Sequence, residues 1–241
     1  MIEGVLFDLD GTLFDHQGAA EQAARQLADR FDPVIPHDHF LVAWFNSEEL
    51  HMAEYLRAEC TFAEQRCRRV QDVAPLLGLD LTKAEMEEWF TTNYLSDYEA
   101  AWRCFPEAVQ SLRLLKDCQP PLATGVITNG DSAQQHLKVE RIGLRHVLGP
   151  IMTPAELGVA KPDPLSFHLA CRRLGLTPGR TLYVGDSLEI DALGASRAGL
   201  IGVWLDRASA TRGTKEGGQL PETIRITDLM ELPSIIRSLS A

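Results

Sequence analysis

Residues 4–12 read GVLFDLDGT, an apolar run that ends on Asp8 and is followed by Asp10, Gly11 and Thr12. A short continuous apolar run is typical of a strand that is buried on both faces of a parallel sheet. In open parallel sheets, ligands bind just beyond the carboxyl ends of the strands. Because two neighbouring carboxylates repel each other, we expect a cation beside Asp8 and Asp10, and Mg²⁺ prefers oxygen ligands of this kind.

Two patterns divide the rest of the chain. Residues 17–102 carry apolar residues at spacings of three and four, as in GAAEQAARQLADRF, which predicts helices. From residue 105 onward, helical segments alternate with short apolar runs, namely LATGVIT, TLYVGD, IGVWLD and TIRIT. That alternation predicts a parallel sheet covered by helices. We therefore expect an α/β core from residues 1–15 and 103–241, interrupted by an inserted all-helical domain at residues 16–102.

Composition restricts the class of partner. The chain has 241 residues, of which 45% are hydrophobic and 24% charged, an ordinary profile for a soluble globular protein. Its formal net charge of -11 argues against nucleic-acid binding, because affinity for a phosphate backbone comes from clustered Lys and Arg. We expect no nucleic-acid partner.

Cysteine usage and the termini bear on the compartment. The five cysteines are scattered and form no CxxC pair, which favours reduced thiols over a disulfide framework; they are Cys60, Cys67, Cys104, Cys118 and Cys171. The N-terminal residues do not resemble a signal peptide, and no apolar run is long enough for a membrane span. The sequence therefore predicts a cytoplasmic protein with no membrane partner.

Three apolar runs end on polar side chains that could share one edge of the sheet. GVLFD ends at Asp8, GVIT at Thr128 and LYVGD at Asp186. Asp186 is thus a candidate for the further carboxylate of a Mg²⁺ site.

Each motif also has a purely structural interpretation. Asp8 and Asp10 could cap a turn, since Asp is favoured in turns. Asn129 is an ordinary residue for a strand-to-helix turn, Lys161 could be a solvated loop lysine, and Asp191 could lie on the surface of a helix.

The motifs taken together, and in this order, resemble those of the haloacid dehalogenase-like hydrolase superfamily. They are DLDGT at 8–12, ITN at 127–129, Lys161 in AKPDP and GDSLEID at 185–191. The resemblance implies a doubly wound, Rossmann-like parallel sheet. It also implies that the helical insertion corresponds to the superfamily's helical cap.

The resemblance assigns roles to these residues. Asp8 is expected to be the nucleophile that forms an aspartyl-phosphate. Asp10 is expected to protonate the leaving oxygen and then to accept a proton from the hydrolytic water. Thr128, Asn129 and Lys161 are expected to be the donors that bind the phosphate.

The same resemblance implies Mg²⁺ as cofactor. Its expected ligands are Asp8, the backbone carbonyl of Asp10, and Asp186. Asp191 is expected to act behind these ligands or through a water, and to orient Lys161.

The resemblance implies hydrolysis of a small phosphate monoester, either a nucleotide monophosphate or a sugar phosphate. The dehalogenases of the superfamily lack an aspartate at the position of Asp10, because a halide leaving group needs no proton. A sugar phosphomutase with the same chemistry remains an alternative, as does a non-catalytic binding protein on this fold. The expected partner is a small-molecule phosphate ester, and the expected assembly is a monomer or a homodimer.

Two further segments carry predictions. Arg66, Arg68 and Arg69 lie close together in QRCRRVQD, where they form either a solvated or salt-bridged helix face or a contact to the leaving group. Residues 207–223 are rich in Gly, Ser and Thr, which predicts a surface loop.

Overall fold

The structure is a computed structural model that describes residues 1–207 and 223–240. Residues 208–222, which make up nearly all of the predicted surface loop, lie outside the described residues. The chain divides into two compact units, residues 1–15 with 103–241, and residues 16–102.

The described residues of the first unit form a parallel sheet of six strands. Its strands are β1 Gly4–Phe7, β2 Ala123–Ile127, β3 Ile151–Met152, β4 Thr181–Gly185, β5 Ile201–Leu205 and β6 Ile224–Ile226. The spatial order β3-β2-β1-β4-β5-β6 is that of a doubly wound sheet, so the predicted fold class is confirmed. The strand order reverses direction between β1 and β4, and in such sheets the crevice at that point is where ligands bind.

Burial explains why the two central strands, β1 and β4, are largely apolar. All four residues of β1 and all five of β4 are buried, as expected for strands covered on both faces. β3 was not predicted from the sequence, because a two-residue strand is too short to show any pattern.

Within residues 1–15, 103–207 and 223–240 of this unit, six helices accompany the sheet. They are α6 Ala108–Lys116, α7 Ser132–Arg141, α8 Pro154–Leu157, α9 Pro164–Leu174, α10 Gly194–Arg197 and α11 Leu232–Ser240, the first five helices being in the other unit. Phe167 of α9 packs edge-on against Tyr183 of β4, with ring centroids 5.0 Å apart, in a core that includes Leu6 and Ile127. Asp131 is the N-cap of α7, and its side chain accepts a hydrogen bond from the Gln134 backbone N–H at 3.0 Å.

The second unit is helical throughout. Its helices are α1 His16–Phe31, α2 His37–Leu56, α3 Phe62–Val73, α4 Lys83–Phe90 and α5 Ser96–Ala100, with one turn of 3-10 helix at Ala74–Leu77 and a π-helical segment at Thr91–Leu95. Aromatic residues form much of its core: Trp44 is buried, and its ring centroid lies 4.4 Å from that of Tyr94. Across the described residues of the chain, no helix is both long enough and apolar enough to cross a membrane.

The arginines of α3 have ordered partners within this unit. Arg69 is buried and binds Glu48 at 2.8 Å, while Arg68 is partly exposed and binds Glu54 at 2.6 Å. Arg66 lies over the Phe62 ring at 4.6 Å. The salt-bridged alternative therefore describes Arg68 and Arg69, and a leaving-group contact stays a prediction.

Candidate active site

The site residues lie at one edge of the sheet because parallel strands direct their carboxyl ends to the same side. Asp8 follows β1, Thr128 and Asn129 follow β2, and Asp186 follows β4. Since β1 pairs with both β2 and β4, these three strand ends are neighbours. The site thus lies where doubly wound sheets hold their ligands.

Lys161 lies at the centre of a buried polar network. Its Nζ atom donates to Asp8 Oδ1 at 2.6 Å, to Asp191 Oδ1 at 2.7 Å and to the Tyr183 hydroxyl at 2.7 Å. Burial lowers the pKa of Lys161, but the charges of Asp191 and Asp8 outweigh this effect and raise the pKa well above its ordinary value. Lys161 is therefore a fixed cation and not the solvated loop lysine of the structural interpretation.

Asn129 fixes the backbone beside that lysine. Its side-chain amide donates to the Lys161 carbonyl and accepts from the Lys161 backbone N–H, both at 2.9 Å. This paired contact joins the loop after β2 to the loop that carries Lys161. An amide nitrogen carries two hydrogens, so the contact does not use its full donor capacity.

The Thr128 hydroxyl is buried and accepts two hydrogen bonds. One comes from the Gly130 backbone N–H at 3.3 Å and one from the Gln135 amide at 3.0 Å. A hydroxyl has one hydrogen and two lone pairs. With both lone pairs engaged, the O–H of Thr128 is what it can offer to a ligand.

Asp10 has two partners that the sequence analysis did not identify. Lys138 Nζ lies 2.5 Å from Asp10 Oδ1, and Gln135 Nε2 lies 2.6 Å from Asp10 Oδ2. Both partners lie on α7, where Gln135, Lys138 and Val139 are buried. Gln135 and Lys138 lie three residues apart, which places them on one face of α7, but this spacing does not by itself reveal that the face is buried.

Asp8, Asp186 and Asp191 form a cluster that fits a cation. Each offers a carboxylate oxygen, and these oxygens all lie within 4.8 Å of one another. Three ionised carboxylates with one ammonium, that of Lys161, leave two negative charges, which a divalent cation would balance. Hard cations such as Mg²⁺ take carboxylate oxygens of this kind.

Electrostatics in the cluster support the same conclusion. Burial raises the pKa of Asp8 well above its ordinary value, and the charge of Lys161 opposes that shift without cancelling it. Burial of its carboxyl group and the charge of Asp191 raise the pKa of Asp186 to about 7. Other atoms of the residue are exposed to solvent. Anionic carboxylates are thus costly here unless a cation compensates them.

Two glycines let the backbone approach these carboxylates. Gly11 has φ +85°, and a Cβ atom there would lie 2.1 Å from Asp186 Oδ2. A Cβ atom on Gly185 would lie 2.3 Å from the Asp191 carboxyl carbon. No side chain fits at either position without moving a carboxylate.

Comparison with known proteins identifies the family. The sequence profile of the haloacid dehalogenase-like hydrolases matches residues 2–199. The chain belongs to this family. It shares the family with a glyceraldehyde 3-phosphate phosphatase of Methanopyrus kandleri, which is 30% identical over 212 residues, covering 86% of this chain and 85% of the relative.

Two other matches extend the comparison. Pyrimidine 5'-nucleotidase YjjG of Escherichia coli is 38% identical over 113 residues, which cover 46% of this chain and 48% of that relative. The solved structure of the hydrolase YfnB from Bacillus subtilis, bound to magnesium, has a TM-score of 0.76 at 23% identity and covers 98% of both chains. At that identity the structural match shows that the two haloacid dehalogenase-like chains share a fold.

Proposed function

We propose that this protein is a Mg²⁺-dependent phosphatase that hydrolyses a small phosphate monoester through an aspartyl-phosphate on Asp8. The chain is a phosphoric monoester hydrolase by its family and by its phosphatase relatives. One observation carries the mechanism: Lys161 fixes Asp8 at 2.6 Å, while Asp10, two residues further on, carries a second oriented carboxyl group.

In the first step, an oxygen of the ionised Asp8 carboxylate attacks the phosphorus. The new bond from Asp8 to phosphorus forms as the bond to the leaving oxygen breaks, and carboxylates are established nucleophiles in such reactions. The carboxylic acid proton of Asp10 passes to the leaving oxygen, so the alcohol departs neutral. The step yields a phosphorylated Asp8 and an ionised Asp10.

In the second step, water attacks the phosphorus of the acyl-phosphate. Asp10 accepts a proton from this water, and the bond between the Asp8 oxygen and phosphorus breaks. Inorganic phosphate leaves, Asp8 returns to its carboxylate form, and Asp10 is again protonated. One side chain therefore acts as acid and then as base.

The remaining side chains bind the phosphoryl oxygens. Phosphoryl transfer depends mainly on positioning and on stabilising charge that develops on those oxygens. The site offers them three donors: the Thr128 hydroxyl, the Asn129 amide and the Lys161 ammonium.

Mg²⁺ would be held by Asp8, Asp186 and the backbone carbonyl of Asp10. Asp191 would act behind these ligands or through a water. The bound ion would supply positive charge beside the phosphoryl group and neutralise the carboxylate cluster. Asp191 binds Lys161 at 2.7 Å, which supports its role in orienting that lysine.

A sugar phosphate is the substrate class that we favour. Glyceraldehyde 3-phosphate, the substrate named for the Methanopyrus kandleri relative, is a phosphorylated triose, and that relative matches over most of this chain. The nucleotidase of Escherichia coli matches over less than half of it. Nucleotide monophosphates are the second class to screen.

The test is hydrolysis of p-nitrophenyl phosphate by the wild type, with Mg²⁺ and with excess EDTA, beside the Asp8→Asn variant. Asp117→Asn, at an exposed carboxylate that follows α6, is the matched control. We expect metal-dependent release of nitrophenolate by the wild type and the control, and none by Asp8→Asn. Equal rates in Asp8→Asn and the wild type would refute the assignment of the nucleophile.

A further inference from the structure

We propose that Lys138 and Gln135 are positioning residues for Asp10, which hold its carboxyl group in the orientation needed for proton transfer. This inference rests on the proposed function, because it explains how Asp10, the proposed acid and base of that reaction, is oriented. It concerns residues of α7, a helix that contributes none of the four sequence motifs.

The contacts engage both oxygens of Asp10. Lys138 Nζ lies 2.5 Å from Oδ1, and Gln135 Nε2 lies 2.6 Å from Oδ2. With one donor on each oxygen, rotation of the carboxyl group would break both contacts. Each carboxyl oxygen has two lone pairs, so either can carry the transferable proton while it accepts a hydrogen bond.

Burial of Lys138 is difficult to explain by folding alone. The side chain of Lys138 is 2% exposed, whereas that of Asp10 is 29% exposed. Removing an ammonium group from water is costly, and an apolar residue at a buried helix position usually costs less. Asp10 retains contact with solvent and does not need a buried cation for its own solvation. The buried cation is therefore better explained by what it does to Asp10.

A second contact connects this pair to the phosphate-binding loop. Gln135 Nε2 also donates to the Thr128 hydroxyl at 3.0 Å. A Cβ atom on Gly130 would lie 1.9 Å from Gln135 Nε2, so a glycine is required there for the amide to reach both acceptors. The aromatic ring of Phe14, 4.4 Å from Lys138 Nζ, closes another side of the ammonium. The surroundings thus restrict both donors to one arrangement.

The chemical consequence depends on the leaving group. In the step that breaks the bond between phosphorus and the leaving oxygen, an alkoxide must take the proton of Asp10, whereas nitrophenolate can leave without it. An incorrectly oriented Asp10 should therefore impair cleavage of alkyl phosphates far more than cleavage of activated aryl phosphates.

The experiment compares kcat/KM for benzyl phosphate and p-nitrophenyl phosphate in Lys138→Met and Gln135→Met. Both replacements remove a donor and retain much of the side-chain length. The ratio kcat/KM includes only the steps up to the first leaving-group release, so slower hydrolysis of the aspartyl-phosphate does not enter it. Lys116→Met, at an exposed lysine of α6, is the matched control.

We expect kcat/KM for benzyl phosphate to fall on the order of 10²-fold in Lys138→Met and about tenfold in Gln135→Met. For p-nitrophenyl phosphate we expect a fall of less than about threefold in both variants, and Lys116→Met should behave as the wild type. The Lys138→Met change should cause no further loss for benzyl phosphate when it is added to Asp10→Asn, because the two act through one group.

Equal losses for the two esters would overturn the inference, because they would indicate a general structural role. If Lys138→Met does not fold, the Gln135→Met ratio decides the question alone. A wild type that turns over neither ester would instead refute the proposed function, so the two failures are distinguishable.

Discussion

At the scale of single residues, Gly11 connects backbone geometry to the carboxylate cluster. Its φ of +85° is a conformation that other residues adopt with strain, and a Cβ atom there would meet the Asp186 carboxylate. We predict that Gly11→Ala raises the Mg²⁺ concentration needed for half-maximal activity by about tenfold, because Asp186 must move aside. Titration of activity with Mg²⁺ measures this shift.

Gly143→Ala is the matched control for that variant. Gly143 also has a positive φ, of +76°, but no atom would lie within 4 Å of its Cβ. Both variants should lose about 1 kcal/mol of unfolding free energy from backbone strain, and only Gly11→Ala should change the Mg²⁺ requirement. If both variants required the same Mg²⁺ concentration, the close approach to Asp186 would have no functional role.

The sequence predicted which residues meet at this site, but not all of their neighbours. Its motifs identified Asp8, Thr128, Lys161 and Asp186 because each follows a strand or lies in a short loop at one edge of the sheet. Lys138 was not predicted, because a lysine on a helix is normally exposed and its burial depends on how α7 packs. The roles of all these residues stay predictions until they are measured.

At the scale of secondary-structure elements, Arg69 connects three segments of the helical unit. From α3 it binds Glu48 of α2, and its guanidinium lies 4.8 Å from the Trp44 ring and 5.4 Å from the Tyr94 ring. We predict that Arg69→Met lowers the unfolding free energy by about 3 kcal/mol, because it leaves Glu48 without its buried partner. Urea unfolding, followed by tryptophan fluorescence, measures the change.

Arg68 provides the comparison within the same helix. It is 39% exposed and pairs with Glu54 on the surface, so Arg68→Met should cost less than about 1 kcal/mol. Similar losses in the two variants would mean that the burial of Arg69 adds nothing to stability.

Secondary structure was predictable wherever a segment was long enough to carry a pattern. The apolar runs that predicted β1, β2, β4, β5 and β6 each contain a strand, and the helical periodicity of residues 17–102 is confirmed. The π-helical segments at Thr91–Leu95 and Leu188–Leu193 were not predictable, since π-helical turns are rare and such short segments show no spacing pattern of their own.

At the scale of the whole molecule, Mg²⁺ should stabilise the folded chain, because the carboxylate cluster forms only on folding. A concentration one hundred times the dissociation constant adds about 2.7 kcal/mol to the unfolding free energy, or roughly 5–11 °C in Tm for a chain of this size. Differential scanning calorimetry at pH 8, with Mg²⁺ and with EDTA, measures the shift.

The size of that shift should depend on pH. Because the pKa of Asp186 is about 7 without the ion, protons compete with Mg²⁺ for this carboxylate more strongly below that pH than above it. The rise in Tm should therefore be smaller at pH 6 than at pH 8, and solvent at the exposed side of Asp186 will moderate the difference. Asp186→Asn should show little rise at either pH, and a full rise in that variant would contradict the proposed ligand set.

The central position of β1 in the sheet determines when activity can first arise during synthesis. Gly4 pairs with Ala123 on one side and with Thr181 on the other. The strand that carries Asp8, the proposed nucleophile, is thus translated early in this sequence, yet it does not have both of its neighbours until about three-quarters of the chain has been translated. The helical unit, whose contacts are local, can form well before that point. A nascent chain therefore holds Asp8 before the proposed site is complete, and phosphatase activity should appear only late in translation.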